Sequence, residues 1–222
     1  MGQAARAHLE SLLRSRKLDV TLTSAAPWLE PSFDAAATGV DAIDAALGGG
    51  LRRGHLSEIV GARSTGRMSV LCAALAAATG RGEAVAVIDT HDRFDPVSAS
   101  EAGVDLQMLL WVRDTGDAPR ALKALNLVLQ AGGFGLVAFD LADVPPIGLR
   151  QVPHTTWMRI ARTIEGSQTV ALLVGAERMA RSPGGVTIAL DAAPPAWSGT
   201  GPRSRLLRGI DLRPRVVGGA QR

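Results

Sequence analysis

Short apolar segments alternate with longer segments of helical periodicity along most of this chain, and that alternation limits the folds it can adopt. The segments expected as strands are 56–60, 84–88, 109–112, 136–139, 169–174, 186–190 and 206–217, the last two separated by a Pro/Gly-rich turn. The segments expected as helices are 41–47, 66–78, 118–130 and 155–164, with a further helix beginning at Asp95 and Pro96. Strands joined through helices in this way require right-handed crossovers. The sequence therefore predicts an α/β protein with a mainly parallel twisted sheet, helices on both faces and antiparallel strands toward the C-terminus.

The two ends of the chain fall outside this alternation. Residues 1–37 are expected to form an N-terminal amphipathic helix and a linker, the helix covering 4–17 with Leu9, Leu12 and Leu13 on its apolar face. The α/β core is expected over 38–217 and a flexible tail over 218–222. Two roles for the helix stay open, because an apolar stripe serves equally well for contact with a second chain and for packing on its own core.

Positive charge is concentrated toward the C-terminus. The chain has 24 basic and 21 acidic residues, but from residue 178 onward only Asp191 and Asp211 oppose a series of arginines. The arginines of interest are Arg178, Arg181, Arg203, Arg205 and Arg208. Guanidinium groups bind phosphates and carboxylates, so these side chains are candidate contacts to DNA or to an acidic partner; a solvated basic face is the equal alternative. The sequence has neither a membrane-spanning apolar stretch nor a signal peptide, so a cytoplasmic protein is expected.

A glycine-rich segment, Gly61-Ala62-Arg63-Ser64-Thr65-Gly66-Arg67-Met68-Ser69, follows an expected strand and opens an expected helix. Its two glycines have the spacing of the phosphate-binding motif G-x-x-x-x-G-K-S/T, whose backbone amides cradle phosphates. Arg67 stands at the lysine position and keeps the charge on a bulkier, planar group. Met68 stands at the position of the magnesium-binding hydroxyl, and a thioether is a poor ligand for so hard a cation. Ser69 comes one residue too late unless the loop shifts, and a simple strand-turn-helix with incidental glycines stays open.

Further short motifs surround this loop in a fixed order. They are Thr38-Gly39-Val40-Asp41, Ala46-Leu47-Gly48, Glu58-Ile59, Ile88-Asp89, Gly103-Val104-Asp105 and Asp114-Thr115-Gly116. Over roughly residues 38–190 the chain resembles the core of the RecA recombinase family. The resemblance implies a RecA-like core in which Asp140 matches the Walker B acid. It also implies that the N-terminal helix packs on a neighbouring protomer.

The same resemblance implies a nucleotide site that does not hydrolyse ATP. His91 falls where the family has its catalytic glutamate, and Ala176 falls where it has a nucleotide-sensing glutamine. The regions that match the two DNA-binding loops, 141–154 and 178–185, are altered or reduced. We therefore expect no catalytic residues, no required cofactor and no metal site, with residual ATP binding left open. A slow DNA-dependent ATPase that uses Arg67 and Ser69 is the alternative from the enzyme class.

A reduced, arginine-rich RecA relative with a basic segment at 206–213 resembles the ImuA family, whose members are accessories in SOS-induced translesion synthesis. The resemblance implies an adaptor that binds ImuB, an inactive homologue of the Y-family polymerases, and serves an error-prone replicative-type polymerase. RecA and single-stranded DNA are further expected partners. A DNA-binding modulator of RecA filaments and an inhibitor of cell division stay open as alternatives.

Overall fold

The computed structural model describes residues 34–150, 152–180, 182, 184–192, 194–201, 203–210 and 212–217. The strands are β1 (Ala35–Ala36), β2 (Leu51–Arg52), β3 (Leu56–Gly61), β4 (Val85–Asp89), β5 (Leu109–Arg113), β6 (Leu136–Asp140), β7 (Val170–Gly175), β8 (Thr187–Asp191), β9 (Pro195–Ser198), β10 (Leu206–Ile210) and β11 (Arg213–Val217). The helices are α1 (Asp41–Leu47), α2 (Arg67–Gly80), α3 (Pro96–Glu101), α4 (Ala118–Ala131), α5 (Pro146–Arg150) and α6 (His154–Ile164). The helix expected over 4–17 with Leu9, Leu12 and Leu13, the tail over 218–222, and Arg181 lie outside the described residues.

A central sheet carries most of the strands, in the order β11-β8-β3-β7-β6-β4-β5. Every neighbouring pair in it is parallel except β11 with β8, which is antiparallel. The α/β class, the mainly parallel sheet and the antiparallel C-terminal end are therefore confirmed. Within the described ranges, no helix is long and apolar enough to cross a membrane.

Helices cover both faces of this sheet, because the side chains of a strand point alternately to opposite faces. Along β4, Val85 and Val87 belong to the core under α1 and α2, while Ala86 and Ile88 belong to the core under α4 and α6. A strand buried on both faces must be apolar throughout. That requirement explains why β4, β6 and β7 were recognisable as uninterrupted apolar runs.

The helix ends follow from local chemistry. Helix α1 ends at Gly48, whose φ of +70° costs a glycine little. Helix α3 begins after Asp95, whose carboxylate accepts hydrogen bonds from the backbone N–H groups of Val97 and Ser98, with Pro96 at the first position. Both boundaries agree with the sequence prediction.

The C-terminal strands correct the prediction in one respect. Residues 195–198 were expected to lie in a turn, but they form β9, which pairs antiparallel with β10 in a separate two-stranded hairpin. The segment expected as one run of strand over 206–217 is divided, because β10 joins this hairpin and β11 joins the central sheet. The sequence pattern did not indicate a strand here because Pro195 argues against one. Proline is confined to edge strands, bulges and the first residue of a strand, and Pro195 is the first residue of β9.

Candidate functional site

The carboxyl ends of three parallel strands meet at one edge of the sheet and bring most of the candidate residues together. Strand β3 ends at Gly61, β4 at Asp89 and β6 at Asp140. Asp89 and Asp140 are direct neighbours in the sheet, and Val174 of β7 separates Asp140 from Ile59 of β3. Open parallel sheets bind ligands in the crevice beyond their carboxyl ends. This edge is therefore the candidate ligand site.

The loop between β3 and α2 has a conformation that requires its two glycines. A Cβ at Gly61 would lie 2.6 Å from the hydroxyl oxygen of Thr65 and 2.7 Å from the carbonyl oxygen of Leu190. Gly66 has a φ of +93°, and a Cβ there would lie 2.5 Å from Cδ2 of Leu212. Both are closer than a real Cβ tolerates. The geometry thus favours a specific loop over incidental glycines.

The three residues after the loop have different surroundings. Arg67 is the first residue of α2 and is only 8% exposed, and its Nη1 is buried without a hydrogen-bond partner in the described part of the chain. Met68 packs against the core cluster under α1 and α2. Ser69 is exposed on the helix surface. Of the three, only Arg67 has a buried polar group left without a partner.

Asp140 is the buried acid of this edge, with 6% of its surface exposed. Its Oδ1 accepts a hydrogen bond of 2.9 Å from the backbone N–H of Ala142. Burial, aided by the nearby charge of Asp89, raises the pKa of Asp140 to about 6, and the charge of Arg67 acts in the opposite direction. No ion pair shorter than 4 Å joins Arg67 to Asp140, so these two groups interact only at longer range.

The carboxylate of Asp89 holds the turn that follows β4 through hydrogen bonds to its backbone. This carboxylate accepts hydrogen bonds from the backbone N–H groups of His91 (3.3 Å), Arg93 (3.0 Å) and Phe94 (2.8 Å) and from Nε1 of Trp111 (3.3 Å). His91 is half-buried within this turn. The turn therefore holds His91 at the edge of the site, and Asp89 has a structural role there.

A charged cluster that sequence reasoning missed joins the phosphate loop to its neighbours. Asp143 follows β6, and its carboxylate lies 2.7 Å from Nη2 of Arg63 and 3.7 Å from Nε of Arg93. The hydrogen bond from Arg63 is the main cause of the lowered pKa of Asp143. Arg63 and Asp143 are 80 residues apart in the chain. No local sequence signal could have paired them.

Comparison with known proteins places this geometry in a family. The sequence profile of the RecA N-terminal domain matches residues 20–147, which is more than half of the chain. The chain belongs to the RecA N-terminal domain family.

Individual relatives agree with this assignment. Protein RecA of Mycobacterium ulcerans is 39% identical over 105 residues, which are 46% of this chain and 30% of that protein. Protein RecA of Frankia alni is 37% identical over 112 residues, which are 50% of this chain and 32% of that protein. The match thus spans about a third of the length of these relatives. The crystal structure of the RadB recombinase superposes with a TM-score of 0.57 at 15% identity, over 72% of this chain and 84% of that one, and confirms the fold.

The acidic groups near His91 in this RecA-family chain have hydrogen-bond partners of their own. The carboxylates that surround His91 are engaged elsewhere: Asp92 accepts two hydrogen bonds of 2.7 Å from Arg113, while Asp89 and Asp143 have the partners given above. Ala176, which the resemblance to RecA matched to a nucleotide-sensing glutamine, is exposed and has no polar side chain. Among the described residues, no group of three or more His, Cys, Asp or Glu side chains is arranged to hold a metal ion.

The basic residues near the C-terminus of this RecA-family chain divide between two places. Arg208 lies on β10, and Arg203 and Arg205 lie in the segment just before it, beside the hairpin. The guanidinium carbon of Arg205 is 5.1 Å from the ring centroid of Trp197 on β9, and Trp197 remains 47% exposed. Nε of Arg208 donates a 2.7 Å hydrogen bond to the hydroxyl of Ser198. The hairpin therefore presents an aromatic ring among guanidinium groups.

Arg178 belongs to the other place, the segment that follows β7. It is exposed, and the backbone next to it is held by a buried acid that sequence reasoning also missed. Glu58 of β3 is 2% exposed, and its carboxylate accepts hydrogen bonds from the backbone N–H groups of Met179 and Ala180 and from the hydroxyl of Thr187. Glu58 thus fixes the backbone of the segment after β7 that carries Arg178.

Proposed function

We propose that this chain is a non-hydrolysing RecA-like accessory protein that acts as an adaptor in SOS-induced translesion DNA synthesis and binds a polymerase-like partner of the ImuB type. One observation carries the proposal. The phosphate loop keeps its two required glycines, Gly61 and Gly66, while Arg67 and Met68 occupy the lysine and hydroxyl positions. The fold is retained, and the groups for phosphoryl transfer are replaced.

The replacement argues against hydrolysis on chemical grounds. Phosphoryl transfer from ATP relies on a metal ion that bridges the phosphates and on a residue that orients the attacking water. Met68 has a thioether in place of a hydroxyl and packs against the core, so its side chain offers no oxygen to a metal ion. His91 stands at the position of the catalytic glutamate, and the carboxylates of Asp89 and Asp92 already have partners. These surroundings support an adaptor over a motor.

Complex formation tests the adaptor role. The chain, co-expressed with the ImuB-type polymerase homologue of its own organism, should co-elute with it in size-exclusion chromatography without added nucleotide. An Arg67→Met variant should form the same complex, because an adaptor does not depend on turnover. Failure of both proteins to associate, at concentrations of about 10 μM where micromolar affinities are readily detected, would refute the adaptor role.

Direct binding of single-stranded DNA is a second candidate function, favoured by the hairpin β9–β10. Between Asp191 and Asp211 the sequence has three arginines and no acid. Trp197 offers an exposed ring for base stacking, and guanidinium groups attract phosphates.

Salt-dependent fluorescence anisotropy with a labelled oligonucleotide tests this candidate. A Trp197→Ala variant should lose about 1–3 kcal/mol of binding free energy, the usual value of one stacked base. Arg162→Ala removes an exposed arginine from α6, outside the hairpin, and is the control that shows how much a general loss of positive charge weakens binding. Equal binding by the Trp197→Ala variant and the unmodified chain would exclude the hairpin as the DNA contact.

A further inference from the structure

Arg67 combines burial, positive charge and a missing partner. Buried polar side chains in native proteins nearly always have a hydrogen-bond partner. Arg67 is 8% exposed, yet its Nη1 has no partner among the described residues. A guanidinium is only a donor and remains protonated in proteins. Since the described residues supply no acceptor for it, an anion from outside the chain is the natural partner.

The local backbone adds further positive potential at the same place. Helix α2 has 14 residues, so its aligned peptide dipoles give its N-terminus a partial positive charge. Gly66 at the N-cap provides no side-chain hydrogen bond, and the first turn has no acidic residue. The first-turn N–H groups are thus left for a ligand, as is usual where helix N-termini bind phosphate. Arg67 and the helix N-terminus both require an anion.

The same site does not suit a magnesium ion. Magnesium requires oxygen ligands in near-octahedral geometry. Met68 packs into the core, Ser69 is exposed, and one oxygen of Asp140 accepts a hydrogen bond from Ala142. The residues present fit a phosphate group and do not fit its usual metal.

We infer that loop 61–66 and Arg67 bind a polyphosphate, of the kind that nucleoside di- and triphosphates carry, as a metal-free anion. The Arg67 guanidinium then takes the place of both the lysine ammonium and the divalent cation. Its planar fork of five donors can bind two phosphate oxygens through parallel hydrogen bonds, a fixed geometry that a lysine ammonium lacks. The inference rests on the proposed function only in assuming that the bound anion is not hydrolysed.

Calorimetric titration of the full chain tests this inference. ATP and inorganic pyrophosphate are each titrated in a chelator (EDTA) and in excess magnesium. Both ligands should bind in EDTA, with a dissociation constant no higher than in magnesium. Arg67→Met should weaken binding of both about 10- to 100-fold, the usual loss for a hydrogen-bonded charged group. Arg162→Met is the control, because Arg162 lies beside Gly54 and His55 at the amino end of β3, away from the loop.

Each contrary outcome overturns a definite part of the inference. Binding that is at least tenfold tighter with magnesium would show that a metal is required. Binding of ATP without pyrophosphate would show that the nucleoside, and not the phosphates, is recognised. Unchanged binding by Arg67→Met would remove Arg67 from the site. Phosphate release by the unmodified chain would refute the proposed function, together with the assumption of an unhydrolysed anion that the inference takes from it. Absence of binding in the titration would refute the inference and leave the adaptor role intact.

Discussion

Replacement of Arg67 by methionine should make the unliganded protein more stable, which is the opposite of the usual effect of a substitution in a buried site. Methionine keeps the length of the side chain and removes the charge and all five donors. Arg67 is 8% exposed and its Nη1 has no partner among the described residues, so folding removes water from Nη1 without a compensating hydrogen bond from them. Apolar replacement of a poorly compensated buried charge is often stabilising.

The expected magnitude follows from this one group. An unsatisfied buried polar group costs about 1–3 kcal/mol. For a chain of 150–250 residues, each kcal/mol shifts the melting temperature by about 2–4 °C. A central value of about 2 kcal/mol therefore predicts a rise of roughly 4–8 °C for Arg67→Met.

Differential scanning calorimetry in EDTA without phosphate measures the shift. Arg63→Met is the control, because the Arg63 side chain on the same loop is 81% exposed and its ion pair with Asp143 is worth at most about 1 kcal/mol. Pyrophosphate at about 100 times its dissociation constant should add about 2.7 kcal/mol to the unmodified protein and only about 0.4–1.4 kcal/mol to Arg67→Met, whose dissociation constant is expected to be about 10- to 100-fold higher. An equal or lower melting temperature for Arg67→Met would refute the reasoning, because Arg67 would then be satisfied without a ligand.

Three further predictions concern the same edge of the sheet and its support. Glu58→Ala should lower the free energy of unfolding by about 2–4 kcal/mol in urea denaturation, because it strands the buried N–H groups that the carboxylate accepts from; a loss below about 1 kcal/mol would contradict that role. Asp140 has a pKa raised from 3.8 to about 6, so the folded state binds its proton more tightly and the protein loses stability as the pH rises from about 4 to about 6. Asp140→Asn should therefore be more stable than the unmodified chain by up to about 3 kcal/mol at pH 7.5 and nearly equal to it at pH 4, and equal stability at both values would show that the pKa is ordinary. Gly66→Ala should destabilise by more than Gly48→Ala, because both have a positive φ but only Gly66 also meets Leu212, and equal melting temperatures would contradict the close contact.

The sequence predicted the parts of the fold that depend on burial from both sides. Strands β4, β6 and β7 are continuous apolar runs because helices cover both faces, and the two glycines of the phosphate loop stand where a Cβ would lie too close to a neighbouring atom. Strand β9 was missed because it is a half-exposed edge segment that contains Pro195, so it has neither a buried run nor a clear alternation.

The sequence shows which residue types stand at this edge of the sheet, but it does not show how their side chains pair. Arg67, Met68 and His91 could be named from their positions along the chain. Whether the Arg67 guanidinium has a partner depends on groups brought close by folding, as does the pairing of Arg63 with Asp143. The role of Glu58 depends on contacts more than 120 residues away, which no local pattern encodes.

Release of inorganic phosphate from magnesium-ATP, measured with and without single-stranded DNA, tests the absence of hydrolysis most directly. The protein is expected to release phosphate no faster than a buffer blank under either condition, because the proposed function matches Met68 and His91 to the metal-binding hydroxyl and the catalytic carboxylate. DNA-stimulated release that disappears in the Arg67→Met variant would contradict the account and would establish the chain as an ATPase.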